Sequence, residues 1–399
     1  MELKDITYRN SVKKVLRTIR AQSITTQKKI SFETKLAPMT VNNIVRELNE
    51  QGIIREVSHE TNLTNHSSGR KAMWFSINPH FCYAIGVQMK ISSMQMILYN
   101  LMLEEIEKST VDIDFYNMPC VEGISKMASS LAEFIEKASI AKGKILGIGI
   151  GIPGTVDHNK GLIYEIPKLV NWKDCRLKNK LENELNVHVS IDNDIKTPVM
   201  ALIWNNKVNG NIAYVHIKEC VGAGIALGGK IFRGNKGAAG EIGHITVEPN
   251  GKQCNCGNNG CLELYVTDEA ILDDIRQNAT LPSDKLLFEL CDGDLKRLNI
   301  YKAIEAVHQN NGTAMRAFEN ALNYIIIGID IVCKTYAPNE VIIDNTWLQL
   351  IDKYYYHIIE NLHKNNKFFR RSDVNYSFCD MENACSAGAA VLILKSLFE

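Results

Sequence analysis

The stretch "HITVEPNGKQCNCGNNGC", His244 to Cys261, packs three of the chain's eleven cysteines into eight residues. A histidine stands ten positions ahead of the first of them. Two chemistries suit such a cluster: a disulfide that ties the loop, or a metal ion that gathers it. Either one closes this segment into a single shape.

Composition bears on that choice. The N-terminal "MELKDITYRN" is polar and charged, without the apolar core of a secretory segment. No run approaches the ~18 apolar residues of a membrane span. The longest candidate, "ALNYIIIGIDIV", carries Asp330. The cysteine count is odd, and the eight outside the cluster are isolated in apolar or mixed surroundings, as buried free thiols are. This reads as the reducing cytoplasm, where a tight cysteine cluster more often binds metal than forms disulfides.

At 399 residues the chain exceeds what one core supports, so two or three domains are expected. Its formal charge is zero but unevenly spread. Residues 1–79 hold 13 Lys+Arg against 7 Asp+Glu, and the remainder 32 against 38. A small basic head on an acidic body points to an anionic partner for the head alone.

In "ITYRNSVKKVLRTIRAQS", Val12, Val15, Leu16 and Ile19 recur at helical spacing, which leaves Lys13, Lys14, Arg17 and Arg20 outward. A second short helix fits "TTQKKISFET", with Thr26 as N-cap. In the third, Pro38 suits the first turn, Val41, Ile44, Val45 and Leu48 form an apolar stripe, and Gly52 stops the helix. Ala37 takes the cap position where Ser or Thr is usual, at a cost of roughly 1 kcal/mol. The opposite face carries Met39, Thr40, Asn42, Asn43 and Arg46, the short polar chains and arginine that base-edge reading in a major groove needs. After Gly52, two strands around a polar loop form a wing, whose Arg70 and Lys71 suit a minor groove or its phosphates. Three helices and a wing resemble the winged helix-turn-helix of bacterial repressors. A small helical protein-interaction domain is the other reading of the same pattern.

From residue 80 the pattern becomes short β-rich runs alternating with amphipathic helices, as in α/β architecture. "KILGIGIGIPGTVDHNKGLIYE" reads as a buried strand entering a turn, and "VHVSIDND" as a strand ending in a polar cluster. "IAYVHIKECVGAGIALGGKIFRG" reads as a hairpin with a glycine loop at its centre.

Together with "GAAGEIGHITVEPNGKQCNCGNNGCLE", these segments resemble the ROK family (repressors, open reading frames and sugar kinases) over nearly the whole chain. The winged head matches the family's repressor branch, and "NGKQCNCGNNGCLELY" looks most like its xylose repressors. The resemblance implies a winged helix-turn-helix at 1–79, followed by a two-lobed actin-like, sugar-kinase (ribonuclease H-like) body. Its first lobe would span 80–194, completed by about 385–399. The second, 195–384, would carry the cysteine loop and dimerisation helices. His244, Cys254, Cys256 and Cys261 then fit a closed tetrahedral zinc site of structural type. The resemblance also implies a monosaccharide gripped by Asn193, Asp194, Glu241, His244 and Glu263. Carboxylates and an amide at loop starts offer paired acceptors and donors to vicinal hydroxyls.

Departures from the family's kinases bear on activity. Where a kinase needs an Asp-x-Gly-Gly-Thr-like loop for metal and phosphate, this chain has "GVQMKISSMQM", with Gln88 at the acid position and Lys90 and Ile91 in place of glycines. Asp344 and Asn345 stand where the kinases carry the Gly-Gly that lies against adenosine, and Gly222–Gly224 alone survives. Lys168 stands where many relatives carry Asn. The expectation is therefore a regulator without catalytic residues, acting as a homodimer or tetramer on palindromic operator DNA and released by a sugar such as xylose. An ATP-dependent sugar kinase is the alternative.

Overall fold

The computed structural model describes residues 9–58, 73–205, 210–364 and 374–399. The chain divides into two compact units: Met1–Asn206 with Cys385–Glu399, and Lys207–Ala384.

The first unit begins with the head. Helices α1 (Asn10–Gln22), α2 (Gln27–Thr34) and α3 (Pro38–Glu50) pack with a three-stranded sheet of order β1 (Thr25–Thr26), β3 (Trp74–Ile77), β2 (Ile54–Val57). The expected stripes form its core: Val12, Val15, Leu16, Ile19, Val41, Ile44, Val45 and Leu48 are each at most 3% exposed. Thr26 caps α2 by accepting from Lys29 N. Gly52 ends the α3 turn at φ +73°, a conformation that side chains disfavour.

The rest of the first unit is a five-stranded sheet of order β10 (Val189–Asn193), β7 (Ile145–Ile152), β4 (Tyr83–Met89), β5 (Ser93–Asn100), β6 (Glu105–Asp112). Strands β4, β7 and β10 run parallel, while β4, β5 and β6 form an antiparallel meander. In "ILGIGIGI" the period of two separates the faces. Ile148, Ile150 and Ile152 are fully buried in the apolar core that also holds α4 (Cys120–Lys137) and α5 (Leu177–Leu185). The glycines face the C-terminal helix Ala384–Leu394: a Cβ on Gly149 would sit 1.7 Å from the Ala389 carbonyl oxygen, and one on Gly86 1.9 Å from that of Ser386. This helix also lies against α6 (Lys196–Trp204), where a Cβ on Gly388 would meet the Thr197 carbonyl oxygen at 1.7 Å. That contact keeps α6 in the first unit, whose boundary falls after Asn206 rather than after Asp194.

One cysteine reading is corrected here. Cys120 and Cys175, read as isolated thiols, are joined as a disulfide that ties the start of α4 to the segment before α5. Their separation of 55 residues hid the pairing.

The second unit is a five-stranded sheet of order β13 (Lys230–Phe232), β12 (Val221–Leu227), β11 (Ile212–Ile217), β14 (Glu340–Asp344), β15 (Asn375–Phe378). Helices α7 (Asp268–Asn278) and α8 (Gly312–Tyr336) belong to its apolar core. The expected β11–β12 hairpin is present, but Gly222 and Gly224 are strand residues paired with His216 and Tyr214, and Lys218–Cys220 form the tip. The glycine pair is therefore no loop. Residues 240–243 cross directly over β12, and there it is Gly240 and Gly243 that must be small. A Cβ on Gly240 (φ +93°) would lie 1.8 Å from the Ala223 carbonyl oxygen, and one on Gly243 2.4 Å from that of Val221. Among the described residues no helix is long and apolar enough to cross a membrane.

The glycine face of β7 gives a direct test. Gly149→Ala should lower the stability of the first unit by about 1–3 kcal/mol or more, because rigid backbone opposes the new methyl. Gly143→Ala, which meets nothing within 4 Å, should stay within about 0.5 kcal/mol of wild type. Thermal unfolding of the two variants makes the comparison.

Candidate metal centre and nucleic-acid interface

Four of the expected ligands come together in the second unit. Backbone bonds build the loop around them: Cys254 N to Asn258 O, Gly257 N to Cys254 O, and Gly260 N to Lys252 O. Gly260 (φ +67°) lies so close to the chain that a Cβ there would be 1.6 Å from the Glu248 carbonyl oxygen. His244 is delivered from the other side by the 240–243 crossing over β12, where Ala223 N donates to Gly240 O.

The ligand atoms of His244, Cys254, Cys256 and Cys261 all lie within 4.8 Å of one another. Cys254 Sγ is 3.7 Å from His244 Nδ1, and the Cys256 and Cys261 sulfurs are 3.6 Å apart. An ion held tetrahedrally at about 2.3 Å sets its ligands about 3.8 Å from each other, so this spacing fits one ion and four bonds. No disulfide forms within the cluster. Burial pushes the Cys254 thiol up to about 12 and raises Cys261, whereas a backbone hydrogen bond from Asn258 lowers the exposed Cys256. The Glu263 carboxylate borders the cluster, with Oε1 3.0 Å from Cys254 Sγ and 3.4 Å from His244 Nδ1. Glu241 is exposed at the start of the turn that carries His244.

Asn193 and Asp194 end β10 in the first unit. The Asn193 side chain is largely committed: Oδ1 accepts from Ile195 N and Lys196 N, and Nδ2 donates to Gly154 O at 3.1 Å. It shapes the turn into α6 and leaves Asp194 half-buried beside it. Lys168 is exposed.

On the head, Met39, Thr40, Asn42, Asn43 and Arg46 are all exposed along one face of α3. Met39, a large apolar chain, is 69% exposed at the first turn. Arg70 and Lys71 lie outside the described residues. Arg20, read as facing outward, turns to the body instead, its Nη1 donating to Trp204 O; Arg17 is exposed as expected, and its Nε donates to Phe398 O.

One polar constellation escaped the sequence reading. Asp344, at the end of β14, accepts from Tyr214 Oη at 2.6 Å and pairs with His216 Nδ1 at 2.8 Å and Lys218 Nζ at 2.6 Å. The signal was present as period two in "YVHIK", which puts Tyr214, His216 and Lys218 on one strand face. Asp344 joins them because it stands opposite His216 in parallel register. Burial works against charge on His216, yet hydrogen bonds from its ring to Asp344 and Cys220 carry it up to about 10. Burial likewise raises Asp344, but His216 and Lys218 hold it well below the usual carboxylate range. A raised His216 contributes stability fully below its ordinary value of 6.5 and loses it as pH climbs through about 10. The thermal midpoint should therefore fall between pH 7 and 10 in wild type. His216→Gln should start lower and lose less over that window.

Residues 85–396 match the ROK family, and residues 9–55 match a winged helix-turn-helix DNA-binding domain. The xylose repressor of Bacillus subtilis (strain 168) is 27% identical over 364 residues, 88% of this chain and 86% of that one. A crystal structure of a ROK family transcriptional regulator, a homologue of the Escherichia coli Mlc protein, aligns with a TM-score of 0.81 at 23% identity over 97% of this chain and 96% of its own. A ROK family glucokinase from Streptomyces griseus, solved with glucose and AMPPNP, aligns with a TM-score of 0.66 at 22% identity over 99% of its length but 78% of this chain. At such identities the structural likenesses speak for the fold. The family match over most of the body, with the winged match at its head, is decisive: this chain belongs to the ROK family and carries an N-terminal winged helix-turn-helix.

Proposed function

We propose that this protein is a sugar-responsive transcriptional repressor. It binds palindromic operator DNA in the cytoplasm as a homodimer or tetramer and is released by a monosaccharide, xylose being the sugar named for the Bacillus subtilis relative. The observation that carries this reading is the exposed polar face of α3 on a winged head joined to a ROK body. Met39, Thr40, Asn42, Asn43 and Arg46 read base edges, and Arg70 and Lys71 hold the backbone or minor groove. Two-fold protein symmetry maps onto two half-sites, with helices of the second unit forming the dimer contact.

Asp194 binds a sugar hydroxyl in a turn that Asn193 holds in shape and borders. Glu241, His244 and Glu263 bind further hydroxyls. His244 presents Nδ1 to the cysteines, which leaves Nε2 for a hydroxyl. His244, Cys254, Cys256 and Cys261 would hold a zinc ion with no open position, and such an ion would fix the loop in shape. Phosphoryl transfer is absent. Gln88 supplies no metal-binding carboxylate, and Asp344 is already engaged by three donors.

The experiment is an anisotropy titration of the full chain on a duplex selected by it from a random library, repeated with D-xylose and a monosaccharide panel. Release by one sugar is expected, without ATP consumption. ATP turnover with any sugar of the panel would overturn the reading. Arg46→Ala should cost ~1–3 kcal/mol at the selected site and relax its base preference.

Metal analysis of the purified chain should find about one zinc per chain. Cys256→Ser should lower both zinc content and the yield of folded protein, since a structural zinc contributes folding free energy directly. A zinc-free wild type that folds and binds its sugar normally would remove the ion from the account.

A further inference from the structure

Helix α6 is short, buried nearly all round, and tied at both ends. At its start, Asn193 Oδ1 accepts from Ile195 N and Lys196 N, the two residues that follow Asp194. Thr197 Oγ1 bonds back to the Asp194 carbonyl oxygen at 3.3 Å. Lys196, Thr197, Val199, Ala201 and Leu202 are each at most 2% exposed, so the helix moves only as a body. Its last residue, Trp204, meets the head. The Arg20 guanidinium lies 4.0 Å over the Trp204 ring, and Nη1 donates to the Trp204 carbonyl oxygen. Phe398 closes the other side, edge-on to Trp204 at 5.2 Å, with the guanidinium 5.6 Å from its ring. One turn earlier on α1, Arg17 Nε donates to the Phe398 carbonyl oxygen.

Two features mark this contact as one that can be given up. Arg20 Nε is buried and meets no hydrogen-bond partner among the described residues. Undocking would return that donor to water, so ring stacking and the Nη1 bond to Trp204 hold the docked state against an unmet polar demand. The contact also joins the DNA-reading head to a rigid element rooted at the Asp194 turn. A coupling element needs two arrangements close in free energy and a ligand able to bias one of them.

We infer that α6 and the Arg20–Trp204–Phe398 cluster form the link through which sugar at Asp194 controls the head. This inference rests on the repressor reading. Arg20 and Arg17 are positioning residues: they touch neither sugar nor base, and they fix the placement of α1. A movement of the Asp194 turn shifts α6 along its length and opens or closes the arginine clamp at its far end. Linkage makes the effect reciprocal, so operator DNA alters sugar affinity by the same factor.

The test measures one ratio, operator Kd with saturating D-xylose over operator Kd without it. Should D-xylose be silent, the panel sugar that releases wild type replaces it. Direct phosphate contact by Arg20 would change both constants equally and leave the ratio intact. Wild type should give a ratio of ten or more, and Arg20→Met should bring it within about threefold of unity. Calorimetry on the free variant should show sugar affinity within about threefold of wild type. Arg17→Gln, which loses only the Phe398 carbonyl bond, should lower the ratio partway and decides the matter if Arg20→Met does not fold. A full wild-type ratio in a folded Arg20→Met chain overturns the inference, as does one in Arg17→Gln where that variant decides. A wild type whose ratio stays at unity with every sugar fails the repressor reading instead.

Discussion

Backbone resting directly on backbone is the constraint on which both units depend. In the first unit, Gly86 and Gly149 let the C-terminal helix lie across β4 and β7, and Gly388 lets it touch α6. In the second, Gly240 and Gly243 let one segment cross β12 at a distance no side chain would permit. That crossing delivers His244 to the cysteines, while Gly260 folds the cysteine loop onto Glu248. The four candidate ligand atoms are thus brought together by the same close packing that shapes the loop.

The same strands explain why a kinase-like body suits regulation here. A carboxylate in the protein interior needs partners, and Asp344 has Tyr214, His216 and Lys218. All three come from β11 and its hairpin tip, beside which Asn345 donates to the Ile217 carbonyl oxygen. At the end of β14 this chain therefore has a satisfied ionic network. Such a network rigidifies its surroundings and disfavours losing any one member.

Legibility in the sequence tracked the range of the interaction. The head was readable because its determinants are local: apolar stripes at helical spacing, Thr26 and Pro38 at helix starts, Gly52 at a stop. The His/Cys cluster was readable because its four residues fall within eighteen positions of one another. Distant partners hid the rest. The alternating glycines of β7 announced a strand but not the C-terminal helix that requires them. Gly222 and Gly224 were taken for a loop because glycine reads locally as a turn, and only their pairing with His216 and Tyr214 shows the strand. Arg20 sits on the polar side of α1 and was read as solvent-facing, since nothing local reveals that Trp204 and Phe398 pack against it. The disulfide between Cys120 and Cys175 was invisible for the same reason.

The first unit is discontinuous in the chain, and that has a consequence for how the protein assembles. Its C-terminal helix must find β4, β7 and α6 across the whole of Lys207–Ala384. As a random coil, that intervening length would set a loop-closure entropy growing as (3/2)RT ln n, opposing the encounter. Once the second unit has folded, the intervening chain is a compact body rather than a coil, and most of that entropy is already spent. The second unit therefore works as an internal staple for the first. A defect in its folding, even one remote from the head, would be felt as slow or incomplete docking of the helix on which α6 and Arg20 rely.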